Sequence, residues 1–346
     1  MIDNLRLTNF KSFKSQFVEF SPLTVFAGIN CAGKSSILEA LKIIYRVYAL
    51  NDIKSLQEEK DLDSLISMLS IDRFFKIETV WNHDDFVFYF DKDNAPQVSS
   101  GIPLDANCLR VVSADRIGPK EFYRVSKVNR GYLWDENGEY IYDFISKADD
   151  NKLFVENKLK IAKSSKFLDN VVAWLSIISP NVELDIDYLE SGRLALPFYN
   201  GVSPVETGFG LSSVLPIIVA ILDPTPGTII IENPEVHLHP KGQTELGKLI
   251  AKSVSNKKQI ILETHSDHVI DGVRIAAACA DVAARDVSLL FVSRESYEKE
   301  SHVKRISVDS AGNLSEWPKD FFDQTIVDAK TLMASKMKNM EKYFND

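Results

Sequence analysis

Cysteine is scarce in this 346-residue chain, and long apolar runs are missing from it. The 3 cysteines, Cys31, Cys108 and Cys279, are far apart and form no C-x-x-C pair, so the sequence predicts neither a disulfide framework nor a zinc ribbon. No run approaches the roughly 18 apolar residues of a membrane-spanning helix. The first residues lack the basic and apolar regions of a signal peptide, so we expect a cytoplasmic protein without membrane contact.

Positive charge is also in the minority. The chain carries 40 Lys and Arg against 49 Asp and Glu, which gives a formal net charge of −9. This balance argues against a cationic nucleic-acid surface over the whole chain, although it leaves open a local basic patch that binds nucleic acid. Internal repeats, low-complexity segments and long heptad runs are absent from the sequence. The length allows one large α/β domain or about two ordinary ones.

The chain does contain a phosphate-binding loop. A short apolar run at residues 23–27 predicts a buried strand that leads directly into Gly28-x-x-x-x-Gly33-Lys34-Ser35. Apolar residues at helical spacing follow, which predicts a helix over residues 34–49. In such a loop the backbone N–H groups bind phosphates, the lysine neutralises the outer phosphates and the serine holds Mg²⁺. The candidate nucleotide-binding residues are Asn30, Gly33, Lys34, Ser35 and Ser36.

The remaining apolar pattern predicts an α/β fold with a mostly parallel core sheet. Alternating runs near the N-terminus predict an antiparallel β lobe. Further strands in the C-terminal half alternate with helices, which predicts a parallel core built from both ends of the chain. The predicted core strands are residues 109–113, 228–231, 259–262 and 287–292, and the predicted helices include 211–222, 240–254, 267–280 and a Lys-rich amphipathic helix at 325–344.

Residues 120–200 differ from the rest because lysine and arginine become frequent and helical spacing dominates. We predict a mostly helical insert, set apart from the sheet, whose positive face either binds nucleic acid or is a solvated helix surface. The predicted divisions are 1–119 and 201–324 for the two parts of the core that contains the P-loop, with the insert between them, and 325–346 for the C-terminal helix. The basic residues are Lys120, Arg124, Lys127, Arg130, Lys152, Lys158, Lys160, Lys163 and Lys166.

Candidate catalytic residues follow two of the predicted core strands. Glu232 comes directly after the run 228–231, where the second motif of a P-loop protein supplies an acid for Mg²⁺. Glu235 could act as a base near the γ-phosphate, which Asn233 cannot do. His265, after the next strand, could contact the γ-phosphate. Helix-capping chemistry is the alternative role for all three.

Four histidines, at positions 237, 239, 265 and 268, raise the alternative of a metal site. Imidazoles two residues apart lie on one side of the chain only where it is extended. The P-loop and Glu232 already account for this region, so we favour the nucleotide interpretation over ligation by histidine.

The ordered set of Gly28–Ser36, Gly208–Ser213, Ile229–Pro240 and Glu263–Ser266 resembles the ABC-type ATPases of the SMC/RecF/OLD-like group, of the AAA_15/AAA_21 type. The phrase Ile-Glu-Asn-Pro-Glu-Val-His-Leu-His-Pro is especially similar to that group, and the segment 317–322 resembles a DUF3696-like C-terminus. The resemblance covers nearly the whole chain and matches the insert only loosely.

This resemblance implies ATP as the nucleotide and a head-to-tail homodimer or higher oligomer that holds ATP between two chains. Gly208, Gly210 and Ser212 would contact the γ-phosphate of the partner, and His265 would be the switch histidine. Arg116 would approach the phosphates. Neither a coiled-coil arm nor a Toprim domain is expected.

The chain departs from the family pattern at two motifs. Its signature is not Leu-Ser-Gly-Gly-Gln, and Glu232-Asn233 stands where Asp-Glu is usual. Slow hydrolysis is therefore expected, with Glu235 as the substitute base. We expect an ATP-dependent switch that regulates a separate effector, a nuclease or toxin, in bacterial anti-phage defence. A RecF-like DNA-binding ATPase that uses the basic insert is the alternative.

Overall fold

Strands dominate the first part of the chain and alternate with helices in the second. The computed structural model describes residues 1–59, 61–99, 105, 108–126, 135–189, 193–255, 257–318 and 324–345, so the basic residues Lys127 and Arg130 and part of the segment 317–322 lie outside it. The strands are β1 (Ile2–Phe10), β2 (Phe13–Glu19), β3 (Leu23–Ala27), β4 (Phe74–Trp81), β5 (Asp84–Asp91), β6 (Gln97–Val98), β7 (Leu109–Val112), β8 (Tyr123–Arg124), β9 (Leu184–Leu189), β10 (Leu194–Tyr199), β11 (Gly227–Glu232), β12 (Lys258–Glu263), β13 (Val287–Ser293) and β14 (His302–Ser307). The helices are α1 (Lys34–Tyr48), α2 (Ile53–Glu59), α3 (Ile141–Asp150), α4 (Phe167–Ile178), α5 (Pro204–Thr207), α6 (Phe209–Leu222), α7 (Pro240–Ser253), α8 (Asp267–Ala278) and α9 (Gln324–Asn345).

A six-stranded sheet in the order β14-β13-β3-β12-β11-β7 forms the centre of the molecule. Only the β13–β14 pair is antiparallel; the other neighbours are parallel. Every residue of β3 and β12 is buried, as expected for parallel strands that are covered on both faces. The prediction of a mostly parallel core built from both ends of the chain is confirmed, and β12 separates β3 from β11.

The predicted N-terminal antiparallel lobe is confirmed as a five-stranded sheet in the order β2-β1-β4-β5-β6. Buried and partly exposed residues alternate along β4, because only one face of this sheet packs on the core. The buried face of α1, which includes Ile37, Leu41 and Ile44, shares a hydrophobic cluster with the lobe and with one face of the central sheet. The lobe therefore lies beside the helix that begins at the P-loop.

The segment 120–200 is not set apart from the sheet, which corrects the sequence-based expectation. It contains α3 and α4 together with a small antiparallel sheet in the order β8-β10-β9. Phe144, Phe167 and Trp174 from this segment belong to the same buried cluster as Leu215 of α6 and Leu246 of α7. Its apolar helix faces pack against α6 and α7, so the insert is an integral layer of the fold.

Helices α7 and α8 approach each other closely through two glycines. A Cβ on Gly272 would lie 2.2 Å from the carbonyl oxygen of Thr244, and one on Gly247 would lie 2.2 Å from that of Val269. Only glycine permits such a backbone approach. Because α7 follows the segment 233–239 and α8 follows the segment 264–266, this contact fixes the two segments relative to each other.

Candidate functional site

The P-loop joins β3 to α1 in the middle of the central sheet. Gly28 has a φ of 145°, and a Cβ there would lie 2.1 Å from the carbonyl oxygen of Val292, so the loop needs glycine where it leaves β3. The Lys34 side chain is buried, and its Nζ donates to the carbonyl oxygens of Gly28 at 2.9 Å and Ile29 at 2.8 Å. Burial lowers the pKa of Lys34, and the nearby Glu263 carboxylate opposes this shift. The loop thus keeps an ammonium group at its centre.

A cavity of about 630 Å³ opens in front of the P-loop, a volume typical of sites for small organic ligands. Its walls include the turn between β1 and β2, the segment after β13, and the residues Glu263 and His265. The structure therefore brings the predicted nucleotide-binding residues of the loop together with the predicted switch histidine. The P-loop residues that line the cavity are Asn30, Cys31, Gly33, Lys34, Ser35 and Ser36.

Ser35 contacts an acid that sequence reasoning did not select. Its Oγ donates to Oε1 of Glu263 at 2.8 Å. Glu263 ends β12, the strand next to β3, and is only 4% exposed. Burial raises the pKa of this carboxyl group, whereas the Ser35 hydrogen bond and Lys34 act in the opposite direction. The signal was present in the sequence, because Glu263 follows a buried apolar run just as Glu232 does.

Glu232 has different partners. Its Oε1 lies 2.5 Å from Nζ of Lys42, two turns along α1 from the P-loop lysine, and its Oε2 accepts from the backbone N–H of Ala114 at 3.1 Å. We expected Glu232 to share Mg²⁺ with Ser35, but β12 lies between β11 and β3, and the hydroxyl of Ser35 is bound to Glu263 instead. The Mg²⁺ role of Glu232 stays a prediction, and the structure adds Glu263 as a second candidate.

The oxygen donors beside the P-loop suit Mg²⁺. This ion binds hard oxygen ligands and is usually held by one or two protein side chains, with waters and phosphates completing its shell. Ser35 and Glu263 present such donors 2.8 Å apart. Within the described ranges, no group of three or more His, Cys, Asp or Glu side chains could enclose a metal by itself. The donor set therefore fits an ion that arrives with a nucleotide.

The guanidinium of Arg116 connects three segments behind the site. Its Nη1 donates to the carbonyl oxygens of Ser113 and Glu232, both at 2.8 Å, and its Nη2 donates to that of Asn233 at 2.7 Å. Its Nε lies 3.3 Å from Oγ of Ser213 on α6. Burial lowers the pKa of Arg116 to about 10, and the carboxylates of Glu235 and Glu232 oppose that shift. Arg116 does not line the P-loop cavity, so its predicted approach to the phosphates stays a prediction.

Glu235 holds the segment that carries His265. One carboxylate oxygen accepts from Oγ1 of Thr264 at 2.8 Å, and the other accepts from the backbone N–H of His265 at 2.7 Å. Asn233 has a φ of 44°, a left-handed conformation that asparagine tolerates better than glutamate. The predicted base role of Glu235 is not tested by these contacts, which do assign it a positioning function.

The four histidines have separate environments. His265 lines the P-loop cavity, and its pKa is lowered by burial and by Lys34, with Glu235 opposing. Nδ1 of His239 accepts from the backbone N–H of Lys241 at 3.4 Å at the start of α7. The His237 ring lies 5.0 Å from that of Phe209, and Nε2 of His268 lies 3.8 Å from Asp267. They do not form a histidine metal site.

The signature segment lies away from the P-loop cavity. Gly208 and Phe209 are exposed at the N-terminus of α6, and a separate cavity of about 400 Å³ is lined by residues 207–211 and by His237 and His239. Gly210 packs tightly against the neighbouring segment, because a Cβ would lie 3.0 Å from the carbonyl oxygen of His237, closer than ordinary van der Waals contact. Ser212 is buried, so the predicted contact of its hydroxyl with a partner's nucleotide stays a prediction. The segment faces outward rather than toward its own P-loop.

The parallel sheet, the P-loop at its centre and the antiparallel lobe define a P-loop ATPase head of the ABC type. Comparison with known families identifies the family to which this head belongs. The profile of the family described as "AAA domain, putative AbiEii toxin, Type IV TA system" matches residues 23–271, so the chain belongs to that family. Residues 282–332 match DUF3696, a family of unknown function. The predicted place among SMC/RecF/OLD-like ABC ATPases is confirmed.

Individual relatives agree with this family assignment. The chain is 24% identical over 336 residues to the OLD nuclease of Thermus scotoductus, which covers 80% of this chain and 61% of that protein. The chain thus spans less than two thirds of this curated relative. An SMC head bound to the C-terminal winged-helix domain of ScpA is similar in fold, with a TM-score of 0.59 at 16% identity over 90% of this chain and 98% of that one. A second SMC head, solved with a domain of ScpA from Pyrococcus furiosus, gives 0.54 at 15% identity over 88% and 96%.

Membrane association was not expected from the sequence. Among the described helices, none combines the length and apolar character that crossing a bilayer requires.

Proposed function

We propose that the chain binds ATP with Mg²⁺ in the P-loop cavity, hydrolyses it slowly and acts as a dimeric switch. One observation carries this proposal: the cavity contains Lys34, Ser35 and His265, whereas the signature residues Gly208 and Gly210 lie outside it. A nucleotide bound by one chain would lack the contacts that the signature segment supplies. A second copy, placed head to tail, would provide them through backbone N–H groups at the start of α6.

Residues in the cavity and beside it would have separate parts in this activity. Lys34 would exchange the carbonyl oxygens of Gly28 and Ile29 for the outer phosphates. Bound Mg²⁺ would neutralise charge on the phosphates. Glu235 would orient His265 toward the γ-phosphate and accept a proton from the attacking water. Asn233 cannot accept that proton, and Glu235 already holds two hydrogen bonds, which together support slow turnover.

The biological role that we propose is bacterial anti-phage defence through a separate effector, a nuclease or a toxin. The support is the family description, which names a toxin, and the relative named OLD nuclease. The described residues contain no group of three or more His, Cys, Asp or Glu side chains that could hold a metal for nuclease chemistry. The ATPase would therefore control a chemistry that another protein carries out.

The decisive experiment measures ATP binding, ATP hydrolysis and molar mass of the purified chain beside Lys34→Ala and Glu235→Gln. We expect Lys34→Ala to lose ATP binding, because no other ammonium group lies at the centre of the loop. We expect Glu235→Gln to bind ATP but to lose at least about 100-fold in turnover, the scale of general-base catalysis. Light scattering should detect dimers or larger assemblies only with ATP.

The matched control is Lys54→Ala, which removes an exposed lysine from α2, outside the cavity lining. It should bind and hydrolyse ATP as the wild type does. Failure of the wild-type chain to bind ATP in the presence of Mg²⁺ would refute the proposal. Binding without any change of molar mass would refute the dimeric switch alone.

The DNA-binding alternative receives less support from the insert. Nζ of Lys158 donates to the carbonyl oxygen of Val254, and Nζ of Lys160 donates to Ser165, so both ammonium groups serve internal contacts. Lys147 is paired with Asp143 and Lys120 with Glu139. A DNA affinity that rises with ATP and falls steeply with salt would nevertheless favour the alternative.

A further inference from the structure

The cavity in front of the P-loop extends to both sides of the strand that carries the loop. In the central sheet, β3 lies between β12 and β13. Glu263 and His265 line the cavity from the end of β12, whereas Arg294 and Tyr297 line it from the segment that follows β13. The cavity therefore has one side with acid and imidazole groups and an opposite side with a guanidinium and an aromatic ring.

The side next to β13 also carries exposed apolar groups. Tyr297 is 70% exposed, and Met68, which lines the same cavity, is 90% exposed. Ile66 and Leu69 line it as well, and Leu69 borders a neighbouring cavity together with residues 298–300, so the two segments adjoin each other. Apolar surface that faces water favours a ligand that covers it. This side of the cavity thus suits a flat, largely apolar group better than a phosphate.

Tyr297 is held in a fixed position although it is exposed. The guanidinium carbon of Arg294 lies 5.3 Å from the centre of the Tyr297 ring. The same guanidinium donates to the carbonyl oxygen of Tyr297 at 2.6 Å and to that of Lys299 at 2.8 Å, which fixes the turn that carries the ring. A hydrogen bond with the side chain of Cys31 in the P-loop raises the pKa of Tyr297. The ring is therefore attached to the loop that would bind the phosphates.

The direction of a bound nucleotide follows from the two sides of the cavity. In a P-loop, backbone N–H groups hold the α- and β-phosphates and the lysine reaches the β- and γ-phosphates. With the γ-phosphate beside His265, on the β12 side, the phosphate chain would cross the loop and present its nucleoside on the β13 side. The group that arrives there would be the base, which is flat and has two apolar faces.

We propose that Tyr297 is the platform on which the nucleobase stacks, with Arg294 supporting the ring from behind. This inference rests on the proposed ATPase function and adds the residue that would hold the base. Bases stack on aromatic side chains through their π-faces, and an arginine beside the ring contributes a cation–π interaction. A ring that is already fixed by Arg294 and Cys31 loses little further freedom when the base binds.

The test measures, by calorimetry in Mg²⁺, the affinity of the wild type, Tyr297→Ala and Tyr297→Phe for ATP and for inorganic tripolyphosphate, which has the phosphate chain but no nucleoside. We expect Tyr297→Ala to bind ATP at least about fivefold more weakly, the lower end of what base–aromatic stacking contributes. Its affinity for tripolyphosphate should be unchanged, because the P-loop is intact. Tyr297→Phe should bind ATP as the wild type does, since it keeps the ring and loses only the hydroxyl.

Phe154→Ala is the matched control, because it removes another exposed aromatic ring, 64% exposed, that does not line the cavity. It should bind both ligands as the wild type does. A loss of ATP affinity in this variant equal to that in Tyr297→Ala would contradict the proposal, since the effect would not depend on the position of the ring.

The remaining outcomes separate this inference from the proposed function. Unchanged ATP affinity in Tyr297→Ala, or equal losses for ATP and tripolyphosphate, would overturn the stacking role and leave the ATPase proposal intact. A loss in Tyr297→Phe as large as in Tyr297→Ala would also overturn it, because the hydroxyl rather than the ring would then be responsible. A wild-type chain that binds neither ATP nor tripolyphosphate would overturn both.

Discussion

Main-chain carbonyl oxygens hold two cations of the site, the buried Lys34 and the partly buried Arg116. Lys34 donates to Gly28 and Ile29, and Arg116 donates to Ser113, Glu232 and Asn233. Carbonyl oxygens accept hydrogen bonds from these N–H groups but do not cancel their positive charge. A carboxylate in direct contact would cancel it. Lys34 therefore keeps positive potential toward the cavity, while Arg116 uses its planar fork to fix three backbone positions at once.

We predict that Arg116→Ala destabilises the chain by about 2–4 kcal/mol, because carbonyl oxygens that it now satisfies would be left buried without a donor. Arg116→Lys should recover only part of this loss, since one ammonium group cannot reproduce the geometry of the guanidinium. Urea-induced unfolding gives the free energies. If Arg116→Lys were as stable as the wild type, the structural role of the guanidinium would be contradicted.

We predict that His265 titrates below its ordinary pKa of about 6.5, because burial and Lys34 both disfavour the imidazolium. A lowered folded-state pKa means that the unfolded chain takes up the proton first as pH falls. The stability contribution of this group is therefore complete above about pH 6.5 and is lost as pH drops below it. An NMR titration of the His265 ring, assigned with His265→Asn, measures the midpoint. A midpoint above 6.5 would show that Glu235 outweighs the other two influences.

At the scale of elements, the close pair α7 and α8 sets the geometry of the segments 233–239 and 264–266. Gly247 and Gly272 bring the two backbones together, and each helix begins just after a segment of the site. Gln243 of α7 extends the link, because its Oε1 accepts from Oγ of Ser266, the residue that caps α8. A small change in helix spacing would move Glu235 relative to His265.

We predict that Gly272→Ala destabilises the chain by about 1–3 kcal/mol, the usual range for overpacking, and slows ATP hydrolysis. The added methyl group would lie 2.2 Å from the carbonyl oxygen of Thr244, so the helices must separate. Glu245→Ala on α7 is the control, since it removes only a partly exposed pair with Lys248 worth a few tenths of a kcal/mol. Equal effects of the two substitutions would contradict the spacing argument.

The sequence was sufficient to predict the P-loop, the parallel sheet and the β lobe, because apolar periodicity and the glycine spacing are local signals. It was not sufficient to identify Glu263 as the acid that accepts a hydrogen bond from Ser35, because that contact depends on the strand order, which cannot be read from spacing. The insert was misplaced for a related reason: the apolar faces of α3 and α4 predict helices but do not say which surface covers them.

At the scale of the whole molecule, the outward-facing signature segment is the surface on which the proposed dimer depends. Phe209 is 54% exposed, and its ring lies against that of His237. Residues on both sides of it, Gly208 and Gly210, are the predicted contacts with the partner's nucleotide. An exposed aromatic ring at this position would be buried when a second head docks.

We predict that Phe209→Ala weakens the ATP-dependent dimer at least about tenfold, which is the effect of losing an aromatic anchor from an interface. Binding of ATP to the single chain should be unchanged, because Phe209 does not line the P-loop cavity. Sedimentation in ATP, in the Glu235→Gln background, measures the dissociation constant. Phe154→Ala removes an aromatic ring of the insert that is 64% exposed and should leave the dimer intact. A similar loss in both variants would contradict the assignment of this face.

Arg116 links the start of α6 to the backbone beside the proposed nucleotide site, and this link has a thermodynamic consequence. Its guanidinium joins α6, whose N-terminus is the proposed docking face, to the backbone of Glu232 and Asn233 beside the proposed nucleotide site. If ATP favours association of two heads by a given factor, association must favour ATP binding by the same factor, since coupling free energy is reciprocal. A cell that crowds these chains together, for example on a shared target, would then load them with ATP without any change in nucleotide concentration.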